Sequence, residues 1–71
     1  MTKTEALAEL DLGKVIRHRS FMKHEFIKKL NGKILDESGL ELDEKLFWQN
    51  RNAGFFNEGW SSHELSEYIK P

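Results

Sequence analysis

Apolar residues along this chain come in short groups whose spacing switches between helical and alternating. Ala6, Leu7 and Leu10 fall on one helical face. Thr2 and Glu5, just before them, have the spacing of a capping box, in which each side chain satisfies the other residue's free backbone N–H. Gly13 suits the left-handed conformation that ends a helix. Together these predict a helix over residues 3–11. Val15 and Ile16 are β-branched, and Arg17-His18-Arg19 after them carries no helical stripe, so this stretch reads as β.

Residues 25–37 form the clearest hairpin, centred on Asn31-Gly32, a pair that accepts the positive φ angles of a tight turn. Two registers compete. A two-residue loop sets Ile27 opposite Asp36 and Lys28 opposite Leu35. A three-residue loop, Leu30-Asn31-Gly32, sets Ile27 opposite Leu35 and Lys28 opposite Ile34. Cross-strand apolar pairing favours the second. Ser38-Gly39 then turns the chain, and Leu40 and Leu42 are placed to extend the sheet.

Asp43 has the character of a helix N-cap, with Leu42 before it and Phe47 at the fourth helical position as a hydrophobic staple. Glu44 sits at the favourable end of the helix dipole. A helix over 44–51 follows, ended by Asn52-Ala53-Gly54. Residues 55–59 read as irregular or a short strand. Ser61 and Glu64 repeat the capping-box spacing, and Leu65, Tyr68 and Ile69 follow at helical intervals, which predicts a last helix over 62–70. The expected fold is α+β: one domain, 1–71, with a small antiparallel sheet covered by short helices.

Composition narrows the function. The chain has 71 residues and no cysteine, so disulfides and thiolate metal sites are excluded. A domain this small buries only about 60% of the surface of its unfolded chain, too little for both a deep cleft and a filled core. No apolar run approaches the roughly 20 residues that span a bilayer, and residues 1–5 lack a secretory signal. A cytoplasmic protein with no membrane partner is expected. Aromatic residues make up 11% of the chain, too many for a disordered tail.

Catalytic patterns are missing. His18, His24 and His63 make no convergent ligand set and are read as exposed, so no metal or other cofactor is expected. The serines lie mostly at turns or caps, with Ser61 or Ser62 assigned to the cap of the last helix, and no nucleophile elbow or phosphate-binding glycine loop occurs. The acidic pairs Asp36-Glu37 and Asp43-Glu44 read as solvated charges, because an acid–base pair needs a pocket that separates two pKa values. The expectation is a binding protein rather than an enzyme.

Two surfaces compete for that role. Charge is segregated: Lys14, Arg17, Arg19, Lys23, Lys28, Lys29 and Lys33 face only Glu25 across residues 14–33, whereas acidic residues dominate after Ile34. Arg17, Arg19, Lys23, Lys28, Lys29 and Lys33 are therefore candidates for nucleic acid or a nucleotide. The other surface is aromatic and acidic: Asp43, Glu44, Trp48, Phe55, Phe56 and Trp60. Aromatic residues anchor protein interfaces, but a domain this size also needs them in its core, so two or three of the four rings are assigned inward and at least one outward.

The order of features resembles very short phage-encoded accessory proteins of the Thoeris anti-defence type. The matching pieces are Glu5-Ala6-Leu7, Gly13-Lys14-Val15-Ile16-Arg17, Phe26-Ile27, Asn31-Gly32-Lys33-Ile34, Asp36-Glu37-Ser38-Gly39 and Gly59-Trp60. Two features differ. Phe21 stands where the family shows a tryptophan, and the family ends on a strand after its late tryptophan where this chain reads as a capped helix. The resemblance implies a phage or mobile-element protein in the host cytoplasm that neutralises a host factor or nucleotide signal, often as an oligomer. The leading expectation is an inhibitor or modulator that binds a host protein; the alternative is the basic anion-binding module. A subunit that only forms homo-oligomers is the third possibility.

Overall fold

The computed structural model describes residues 1–67. It shows a five-stranded antiparallel sheet with two short helices, the expected α+β architecture. The elements are α1 (Lys3–Asp11), β1 (Val15–His18), β2 (Ile27–Leu30), β3 (Lys33–Asp36), β4 (Glu41–Leu42), α2 (Glu44–Gln49) and β5 (Trp60–His63). Short 3-10 helices occupy Gly54–Asn57 and Leu65–Glu67. The strand order is β4-β3-β2-β1-β5, so the last strand closes onto the first.

The Thr2 capping box forms as expected. Its hydroxyl accepts from the Glu5 N–H at 3.1 Å, and its own N–H donates to Glu5 Oε1 at 2.8 Å. That backbone N–H, with the Thr2 hydroxyl second, holds the Glu5 carboxyl below the ordinary carboxylate range. Ala6 and Leu10 pack inward, and Leu12 with Gly13 (φ 91°) ends the helix.

Residues paired across antiparallel strands share a face of the sheet. One face therefore carries Ile16, His18, Ile27, Ile34, Leu42, Trp60 and Ser62, and α1 lies against it, its Glu9 accepting from the Ser62 hydroxyl at 3.0 Å. Its core cluster joins Ala6 and Leu10 of α1 to Ile16, Ile27, Ile34, Phe21, Phe47 and Trp60.

The hairpin adopts the two-residue loop, not the three-residue one. Leu30 pairs with Lys33, Lys29 with Ile34 and Ile27 with Asp36. Asn31 (φ 53°) and Gly32 (φ 78°) both take the positive φ that this turn requires and whose twist matches the strands. Apolar matching within the hairpin misled because each isoleucine finds its direct partner outside it: Ile27 opposes Ile16 of β1, and Ile34 opposes Leu42 of β4. Asp36 turns to other work, its Oδ1 accepting from the N–H groups of Ser38 and Leu40 at 2.8 and 3.0 Å.

The expected last helix is also corrected. Ser62 and His63 lie in β5 rather than in a helix, and residues 68–70 of the expected span lie outside the described residues. A helix from Ser62 would leave the outer edge of β1 unpaired. As a strand, residues 60–63 pair with all four residues of β1 and carry Trp60 into the core. The outer edge of β5 is bridged by Met1, whose amine donates to Trp60 O at 3.0 Å while Trp60 N donates to Met1 O at 3.2 Å. The second helix is shorter than the expected 44–51, because Asn50 caps it.

Gly59 is the most crowded of the glycines. Its φ is 89°, and a β-carbon there would lie 3.0 Å from the Arg19 side chain and from His18 Nε2. Gly39 has a similar φ of 83° but open space around it. The backbone strain of an alanine at either position is about 1–2 kcal/mol. Gly59→Ala is expected to lose more stability than Gly39→Ala in chemical denaturation, since only it also displaces neighbours. A second expectation concerns Glu5. Its depressed folded-state pKa contributes stability above the unfolded carboxylate range, and this is lost as pH falls through the folded value. An NMR titration should show Glu5 titrating low in the wild type and losing only part of that depression in Thr2→Ala, which removes the hydroxyl but keeps the residue-2 N–H.

Candidate functional site

The aromatic residues after α2 gather around a histidine. His18, expected at the surface, is fully buried. Its ring lies 5.0 Å from Phe55, 4.7 Å from Phe56 and 5.0 Å from Trp60 between centroids, with Phe21 at 6.3 Å. Nδ1 accepts from the Ser20 N–H at 3.1 Å and also meets the Ser20 hydroxyl at 2.8 Å. Nε2 lies 2.7 Å from Glu58 O and 3.2 Å from Phe55 O, so it carries the proton and donates. One side chain thus ties the end of β1 to the 3-10 segment before β5. The sequence held one signal for this: His18 continues the inward alternation of Ile16 on a β-strand.

The four aromatic candidates separate as the counting argument expected. Trp60 is core, only 3% exposed, and its Nε1 donates to Phe56 O at 2.7 Å. Trp48 and Phe56 are half-buried and pack against the core cluster. Lys3 lies over the Trp48 ring at 4.7 Å. Phe55 is the outward ring, 50% exposed, with the Arg19 guanidinium 5.2 Å from its centroid. The aromatic stretch is therefore mostly interior and offers one ring to a partner.

The acidic half is different. Between α2 and the ends of β2 and β3 runs a groove of about 360 Å³. Its apolar lining is Ile27, Leu42, Leu46 and Phe47; its carboxylates are Glu25, Asp36, Glu37 and Asp43, set against one cation, Arg51. Local turn chemistry fixes three of these acids. Asp43 Oδ1 accepts from the Leu46 N–H at 3.0 Å as the α2 cap, Glu25 Oε1 accepts from the Met22 N–H at 3.0 Å, and Asp36 holds the turn after β3. Arg51 stacks over Phe47 at 4.1 Å and donates to Phe47 O at 3.3 Å. Leu46 is 54% exposed on the helix.

The chain matches no family model, no curated protein and no solved structure.

The basic candidates do not converge. Register places Arg17 and Lys28 on the face opposite the core cluster, while Lys29 lies on the core face beside α1. Lys29 Nζ meets Asp11 Oδ1 at 2.8 Å, and this hydrogen bond, then the carboxylate charge, raises the lysine's pKa above its ordinary value. Lys33 lies 3.4 Å from Glu41. Arg17 donates to the carbonyls of Lys23 and Met22 at 2.6 and 3.0 Å, which closes the loop between β1 and β2. Arg19 and Lys23 are exposed, Arg19 against Phe55.

Of the sequence candidates, the structure brings Asp43 to the groove and leaves Glu44 exposed on the first turn of α2. Sequence reasoning missed Glu25, Asp36, Glu37, Leu46 and Arg51 as groove residues. Asp36-Glu37 was a visible acidic pair, but nothing local shows that α2 folds back beside it. Among the described residues, no three His, Asp or Glu side chains are placed to hold a metal ion.

Replacing His18 by leucine keeps the bulk but strands the Ser20 N–H and Glu58 C=O. An unpartnered buried polar group costs about 1–3 kcal/mol. His18→Leu should therefore lower stability by about 1–3 kcal/mol, measured by urea denaturation.

Proposed function

We propose that this chain is a small binding protein that modulates a host protein, and that it makes contact through the groove between α2 and the β2–β3 end of the sheet. The groove carries the reading. Its apolar floor supplies area to bury, and its carboxylates suit a partner segment that places lysine or arginine beside apolar side chains. Exposed Leu46 and Phe55 add apolar surface outside the core.

A phage or mobile-element origin, with action in the host cytoplasm, rests on the resemblance to the Thoeris anti-defence type. The strand at Trp60–His63 supports it, since the family also has a strand at its late tryptophan. No helix among the described residues is long and apolar enough to cross a membrane, consistent with a partner met away from the bilayer. Lys29 lies on the face opposite Arg17, Lys28 and Lys33, and Arg17, Lys29 and Lys33 already have partners, which weighs against the nucleic-acid alternative.

The test is capture of host proteins on the immobilised chain. A specific captured protein should be lost with Leu46→Lys and with Glu37→Lys, both at exposed positions, and retained with Lys28→Ala and Arg19→Ala. The opposite pattern would overturn the groove as the contact surface. Trp60→Ala is unsuitable here, because it removes core.

A further inference from the structure

The strand over Trp60–His63 changes what Ser61 is. As a helix cap its hydroxyl would be occupied by backbone. In β5, Ser61 and His63 lie two residues apart and so project from the same face, opposite to Trp60 and Ser62. Ser61 Oγ lies 2.8 Å from His63 Nε2. His63 Nδ1 lies 3.3 Å from Glu67 Oε2, brought there by the 3-10 turn of residues 65–67.

The two contacts fit a proton arrangement that leaves the histidine a base. A carboxylate only accepts, so Glu67 favours the tautomer with its proton on Nδ1. That leaves a lone pair on Nε2, and the Ser61 hydroxyl donates to it. Nucleophile, base and orienting acid then stand in the order that activates a serine. Arg17 pairs with Ser61 across the strands, so a cationic residue shares this face of the sheet. His63 and Glu67 side chains are 32% and 56% exposed, within reach of a small reagent.

We propose that Ser61 is a reactive nucleophile toward activated acyl esters, with His63 as its general base and Glu67 as the positioning residue. Ser61 Oγ bonds to the acyl carbon and its proton passes to His63 Nε2. The carbon–oxygen bond to the leaving group then breaks, and the departing oxygen takes that proton. Water, deprotonated by the same histidine, releases the carboxylic acid and restores the serine. This face and edge are remote from the groove, so the partner-binding reading stands or falls separately.

A fluorophosphonate probe tests the nucleophile directly, because its phosphorus–fluorine bond breaks as the serine oxygen attacks and the adduct stays on the chain. Peptide mass spectrometry should place the adduct on Ser61, with none in Ser61→Ala. His63→Gln should slow labelling roughly a hundred-fold, in the range of general-base assistance, while circular dichroism shows the fold retained. Glu67→Gln should also slow it at unchanged Tm. Release of nitrophenol from p-nitrophenyl acetate should fall in Ser61→Ala, which separates serine acylation from simple imidazole catalysis. An unlabelled wild type would overturn the proposal. So would a label spread over Ser61 and Ser62 at a rate indifferent to His63→Gln.

Discussion

The buried ring of His18 is the contact on which the rest of this structure depends. It sits where β1 ends, receives a backbone N–H from the turn that follows, and donates to carbonyls nearly forty residues later. A buried imidazole without such partners would cost several kcal/mol. With them, it fixes the 3-10 segment at Gly54–Asn57 against β1, and Gly59 must pass close by with positive φ. Only after that passage can Trp60 enter the core and β5 pair with β1. The aromatic rings around His18 fill the same space, so packing and polar satisfaction pull residues 54–60 to the same place.

Charge is organised by the same economy of short elements. Turns and caps in a domain this small need carboxylates to accept backbone N–H groups, and Glu25, Asp36 and Asp43 do so. Because those three turns meet at one end of the sheet, their charges collect along one groove. The groove's acidity is in this sense a by-product of how the loops are closed, and Leu42, Leu46 and Phe47 give it a surface worth burying. The cations are spent differently: Arg17 closes a loop, Lys29 and Lys33 pair across elements, and Arg51 covers a ring.

Much of the fold was legible along the chain. The Thr2–Glu5 capping box, the Asn31-Gly32 turn and the Asp43 cap act within four residues, and each forms as its pattern indicates. The same locality misled at Ser61–Glu64, whose capping-box spacing is overridden by four strand pairs with β1. It misled in the hairpin register too, where the partners of Ile27 and Ile34 lie on other strands. Counting the rings correctly sent most of the 48–60 aromatics inward. The groove was only half visible, because Asp43 was marked by its cap while Glu25 and Asp36 looked like ordinary turn residues.

By itself, then, the sequence determined the class of fold, the places where the chain turns and the size limit on any site, because those depend on backbone propensities and composition. The tertiary structure alone decided which side chains meet. It buried His18, turned Ser61 from a cap into a neighbour of His63, and gathered dispersed carboxylates into one groove. Those outcomes depend on pairings between distant segments, whose closure is favourable only when sheet, helices and rings pack at once.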